Sequence, residues 1–130
     1  MRPVLHADCQ RAIVRRDVQT PCEVVTDRDF RFVGSRIIDL SVRGLLLESD
    51  QRLLTGEEVI VTFRGPRSSR WYDCTGTIAR VIHGRRRRDR RRAVGVHFEN
   101  MDVWSSLLLC EELRDAPVAQ RHLASHACTR

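Results

Sequence analysis

The stretch Ile37-Ile-Asp-Leu-Ser-Val-Arg-Gly-Leu-Leu-Leu47 decides the fold. Two apolar runs flank a polar corner. Phe30–Ile38 reads as a strand, with Gly34 marking a bulge or bend in it, and Gly44–Glu48 reads as the next strand. Asp39 through Gly44 is the turn between them. As a plain turn it needs only Asp39 or Ser41 to bond local amides and Gly44 to take a positive φ. An aspartate, a serine, an arginine and a glycine together are more than a connector requires.

Outward from this corner the pattern stays β. Cys22–Thr26 is a short valine-rich strand followed by a turn over Thr26–Asp29. Val59–Phe63 alternates, Arg64–Ser69 is a loop, Trp71–Ile82 is a long strand, and Ala93–Phe98 alternates again. Gly95 falls where a neighbouring backbone is expected close. The period then changes to helical, with Met101, Trp104, Leu108 and Cys110 beside Val103, Leu107 and Leu113. Asn100 or Asp102 is the candidate cap and Pro117 bounds the end. Six short strands with turn signals between them predict a mostly β protein: an antiparallel barrel with a C-terminal helix. The expected organisation is a flexible arm over 1–16, a barrel plus helix over 17–114, and a loose tail over 115–130.

Composition narrows the function. The 130 residues suit one domain, and no apolar run approaches the roughly 18 residues a membrane helix needs. The amino-terminal stretch lacks a signal-peptide core, so a cytoplasmic location is expected. The formal charge is +6 and the basic residues are all arginine. That fits a G+C-rich genome. It also fits phosphate or guanine recognition, where a planar fork outperforms an ammonium. Five cysteines without CxxC spacing, and histidines without a ligand pattern, predict free thiols and no metal. No catalytic grouping stands out. Asp73 and His83 are ten apart on one strand, so no enzyme is expected.

A second motif lies upstream: Arg11-Ala-Ile-Val-Arg15. An RxxxR followed by [DN]xSxxG at a strand turn resembles the PilZ domain family. Arg11 and Arg15 match the first motif; Asp39, Ser41 and Gly44 match the second. The Val18-x-x-Pro21 step and Val94-Gly-Val-His-Phe98 before a helix are also similar to the family, and the likeness covers roughly residues 10–113. The resemblance implies a PilZ-like split barrel and a receptor for cyclic di-GMP, with no cofactor besides that ligand. It implies Arg11, Arg15, Asp39, Ser41 and Gly44 as ligand contacts. Arg16 and Arg43 are further candidates, Arg16 being read as solvated.

The chemistry is compatible with that implication. Cyclic di-GMP carries two phosphates and two guanines. An arginine fork matches guanine O6 and N7, or phosphate oxygens. A carboxylate accepts from the guanine N1–H and amino group. A short arm that orders over the ligand would present a changed surface to a protein effector whose identity the sequence does not give. The run Arg85–Arg92 has seven arginines in eight positions and reads as a solvated loop. A nucleic-acid-binding barrel using this loop is the alternative function. It lacks interleaved aromatics for stacking, so nucleic acid is not the expected partner.

Overall fold

The computed structural model of the protein describes residues 14–84 and 92–119. Seven strands precede one helix: β1 (Cys22–Thr26), β2 (Phe32–Gly34), β3 (Arg36–Leu40), β4 (Gly44–Glu48), β5 (Glu58–Arg64), β6 (Trp71–Ile82), β7 (Ala93–Phe98) and α1 (Val103–Leu113). They form a single sheet in the order β2-β1-β5-β6-β7-β4-β3, every pair antiparallel. β2 and β3 are neighbours in the chain yet stand at opposite ends of that order. The sheet therefore curls until its ends nearly meet, as a barrel does.

The expected barrel and helix are present, with one strand more than the six read from sequence. Phe30–Ile38 is not a single strand. Its first part pairs with β1 and its second with β4, and Ser35 lies between. Gly34 makes the break possible, because a Cβ there would lie 2.5 Å from the Glu48 carbonyl oxygen. The Ser49 hydroxyl donates to the Val33 carbonyl at 2.7 Å and pins β2 to the end of β4.

Period-two alternation fills the interior. Val59, Val61 and Phe63 of β5 point inward with Val24 of β1, Leu45 and Leu47 of β4, and Val94 and Val96 of β7. Each such side chain contributes about 1.5–3 kcal/mol when fully buried. The Phe63 ring stacks on Tyr72 and Phe98 at centroid distances of 5.1 and 5.8 Å. Trp71 and Tyr72 thus part company: Tyr72 joins the core and Trp71 faces solvent. Cys22 and Cys74 are buried thiols, each pushed up to about 12, chiefly by burial. They are inert at neutral pH.

Helix α1 closes the barrel with its last turns, through Leu109 and Leu113. Its first turn projects away, leaving Val103 and Trp104 exposed, contrary to the apolar face read from sequence. Asp102 is the cap: its carboxylate accepts from the Ser105 amide at 2.7 Å. Asn100 instead accepts from the Thr75 amide on β6. Among the described residues, no helix is long and apolar enough to cross a membrane.

Candidate functional site

Residues ahead of β1 run beside β3. Arg16 and Leu40 exchange two backbone hydrogen bonds, of 2.8 Å and 2.9 Å. On its other side Arg16 bridges to Val118. The Asp17 amide donates to the Pro117 carbonyl, and the Ala119 amide donates to the Arg15 carbonyl. Residues 15–17 are thus held between β3 and the segment after α1. Of the tail expected over 115–130, residues 115–119 are described; Ala116, Pro117 and Ala119 hydrogen-bond to this leader, and Ala119 is buried.

This pairing fixes where the side chain of Arg15 goes. Its Nη1 donates to Asp39 Oδ1 at 2.8 Å, across 24 residues of chain. The carboxylate is nearly buried, at 3% side-chain exposure, while the Arg15 side chain keeps 37%. Arg15 occupies one carboxylate oxygen, and Oδ2 has no partner among the described residues. The second arginine of the first motif therefore meets the aspartate of the second. Arg11 lies outside the described residues, as do Arg85–Arg91 of the arginine run; Arg92 is exposed just before β7.

The rest of the turn is wired to itself. The Ser41 amide donates to the Gly44 carbonyl at 2.8 Å, and the Arg43 amide donates to Ser41 Oγ at 3.2 Å. Ser41 is buried and shapes the corner. Gly44 is not at positive φ. A Cβ there would sit 2.0 Å from the Val96 carbonyl oxygen, so close approach of β7 demands the glycine. Arg43 is exposed, its carbonyl accepting from the Phe98 amide while its guanidinium has no partner among the described residues. Arg16, read as solvated, instead donates from Nη1 to the Ala116 carbonyl at 2.8 Å. It holds the C-terminal segment rather than the open side of the site.

Sequence reading missed how Asp39 is placed. Between Ile37 and Asp39 the β3–β4 register shifts, so Ile37 pairs with core Leu47 and Asp39 with Leu46. Asp39 therefore lies on the outer face of the barrel with Leu46, although both are buried. Sequence reading also missed Glu112, a buried carboxylate in α1. It accepts from Tyr72 Oη at 2.6 Å, Ser68 Oγ at 2.9 Å, and the amides of Arg67 and Ser68 at 3.0 and 3.1 Å. Burial alone would raise its pKa, but these hydrogen bonds prevail and hold it below the usual value. The signal was present as an acid three residues after Leu109 on an apolar helix stripe, but nothing local marked its partners. Among the described residues, no cluster of three or more His, Cys, Asp or Glu could hold a metal ion.

Comparisons with known proteins agree on the architecture. A family model described as the PilZ domain matches residues 10–110. The inhibitor of motility MotI/DgrA of Bacillus subtilis aligns with a TM-score of 0.64 at 12% identity, covering 78% of this chain and 48% of that one. This chain thus spans about half the length of that protein. The PilZ domain of CeSA from a cellulose-synthesizing bacterium aligns at 0.51 and 18% identity, covering 76% of this chain and 92% of that one. The PilZ domain of YcgR from Escherichia coli, solved with c-di-GMP, aligns at 0.55 and 14% identity, covering 89% and 95%. No curated protein matches.

Proposed function

We propose, from the premise that this chain belongs to the PilZ domain family, that it is a receptor module for cyclic di-GMP and not an enzyme. The observation that supports this reading is the contact of Arg15, the second arginine of RxxxR, with Asp39, the aspartate of DxSxxG. YcgR, a structural neighbour, was solved with that ligand. The Asp39 carboxylate accepts from the Watson–Crick edge of one guanine. Arg15, with Arg11 from the same motif, supplies guanidinium forks for phosphate or for guanine O6 and N7. Ser41 and Gly44 shape the turn that presents Asp39.

The described leader is already strand-paired, so binding begins with an exchange at the side chain of Arg15. Without ligand, Arg15 and Asp39 satisfy each other; with it, both turn part of their hydrogen bonding to the guest. The Arg15 carbonyl accepts from Ala119, so a shift of the leader is felt in the segment after α1. The changed surface offered to a protein effector comprises the leader and residues 116–119.

The test is titration calorimetry of the full chain with cyclic di-GMP, with GTP as control. Binding of cyclic di-GMP, weakened by Arg15→Ala and Asp39→Ala while thermal stability persists, supports the receptor. No heat with the wild-type chain at millimolar ligand sinks it.

A further inference from the structure

Chain direction alternates through the barrel, with β2 and β3 as two halves of one crossing. The β3–β4 turn with Asp39 and the start of α1 therefore lie at one end. The β1–β2 turn, the β4–β5 loop and the β6–β7 connection lie at the other. There they are joined: the Asp27 amide donates to the Glu58 carbonyl, Arg31 Nη2 lies 4.0 Å from Glu57 Oε2, and the Ser49 amide donates to the Arg92 carbonyl.

Phe30, on the β1–β2 turn, is held out of the fold. Its φ is 56°, a left-handed conformation that a bulky side chain rarely adopts, and the residue is 69% exposed, so no burial offsets the strain. The turn imposes this conformation. The Phe30 amide donates to the Thr26 carbonyl, the Thr26 amide to the Arg31 carbonyl, and the Arg31 amide to Thr26 Oγ1, each at 2.9 Å. Thr26 is buried, and its hydroxyl donates to the Asp29 carboxylate. Asparagine or glycine would fill position 30 with less strain. On the neighbouring β4–β5 loop, Leu54 is 74% exposed. Its amide donates at 2.7 Å to Glu57, whose carboxylate also faces Arg31. Two apolar tips thus stand on adjoining, anchored loops.

Charge gathers at the same end. By sequence, Arg85–Arg92 holds seven arginines and one aspartate, which equals the whole formal charge of +6. Elsewhere in the chain basic and acidic residues balance. Of the run only Arg92 is among the described residues, exposed and bonded to Ser49. Gly84 and Arg92 flank the connection, so its charge is tethered here. A basic cluster alone adsorbs weakly to an anionic surface, and isolated apolar tips alone partition weakly; stable membrane docking takes two signals. A leucine tip gains nothing from a phosphate backbone, which favours lipid over nucleic acid.

We propose that this end of the barrel docks on an anionic phospholipid bilayer, with Phe30 and Leu54 entering its interfacial layer. The Asp39 corner is at the opposite end and stays open to solvent, so docking and ligand binding are separable.

Cosedimentation of the full chain with vesicles tests it, using equal parts phosphatidylglycerol and phosphatidylcholine, and phosphatidylcholine alone, at low and high salt. The variants are Phe30→Asn, Leu54→Ser and Trp104→Ser. Wild type should bind the anionic vesicles, more weakly at high salt, and leave the neutral ones unbound. Phe30→Asn and Leu54→Ser should each weaken binding about tenfold. Asparagine tolerates the left-handed turn, so the thermal midpoint of Phe30→Asn should hold or rise. Trp104 is exposed at the other end of the barrel, and Trp104→Ser should bind as wild type does. No binding of wild type to anionic vesicles overturns the inference, as does equal binding of the neutral ones. Wild-type affinity in both Phe30→Asn and Leu54→Ser, or an equal loss in Trp104→Ser, overturns it too. Binding of a random DNA duplex that Phe30→Asn weakens, with vesicles left unbound, overturns it in favour of nucleic acid.

Discussion

Among the described residues two carboxylates, Asp39 and Glu112, are nearly buried, and they are served very differently. Glu112 accepts from four donors, two of them backbone amides of the Arg64–Arg70 loop, and ties that loop to helix α1 and to Tyr72. Asp39 has one donor among the described residues, Arg15, which is itself more than a third exposed. A saturated carboxylate has nothing left to offer a guest. Exchanging any of its donors would leave a polar group unpaired, at a cost of about 1–3 kcal/mol. A carboxylate with a spare oxygen and a single partially solvated donor can exchange partners at little cost. The same functional group is thus saturated in one corner and, under the proposed function, left open to a guest in the other.

The largest expected effect is at the saturated corner. Glu112→Ala should destabilise the chain by about 2–4 kcal/mol in urea unfolding, since it strands the Tyr72 hydroxyl and two loop amides. Folding lowers the pKa of Glu112. The network therefore stabilises the fold fully above the ordinary value of 4.5, and that contribution is lost as the pH falls through the lowered folded value. Stability of wild type should drop on acidification below about pH 4.5, and Glu112→Gln should flatten that drop. If Glu112→Ala unfolds at the wild-type urea concentration, the contrast between the corners fails.

Next comes the poised corner, where the effect should appear in affinity rather than in stability. Asp39→Ala should cost about 100-fold in cyclic di-GMP affinity, the scale of one buried charge-assisted pair, while lowering stability less than Glu112→Ala does. A stability loss at Asp39 as large as at Glu112 would make Asp39 structural as well. Arg15→Lys should fall between wild type and Arg15→Ala, weakening binding about tenfold, because it keeps the charge and loses the fork. Equal affinity of Arg15→Lys and wild type would show that Arg15 acts as a point charge only.

These contrasts explain what the sequence could and could not reveal. The barrel was legible because alternation in Val59–Phe63 and Ala93–Phe98 is a local signal set by which face is buried. The pairing of the leader with the turn was legible only through the two motifs and their resemblance; no local pattern puts Arg15 beside Asp39. The break at Ser35 was not legible, because it reflects closure of the sheet on itself. Glu112 was invisible for the same kind of reason: its donors come from a loop more than 40 residues away, and a lone acid on a helix reads as solvated.

The smallest effect sharpens the comparison most. Tyr72→Phe removes one of the four donors to Glu112 and leaves the ring stacked on Phe63. The carboxylate keeps three hydrogen bonds, so the loss should be about 1–1.5 kcal/mol, well short of the cost of removing Glu112 itself. Burial and the bond to Glu112 raise the pKa of Tyr72, so the hydroxyl stays protonated and the bond is intact throughout the neutral and mildly alkaline range. The difference between wild type and Tyr72→Phe should therefore be flat from neutral to mildly alkaline pH and shrink only in acid, as Glu112 protonates. At Asp39, by contrast, Arg15→Ala removes the one donor found among the described residues, with no second described donor on the carboxylate to share the loss. If Tyr72→Phe proved as damaging to stability as Glu112→Ala, the Glu112 network would hang on one bond. Its redundancy, and with it the distinction between the two corners, would be lost.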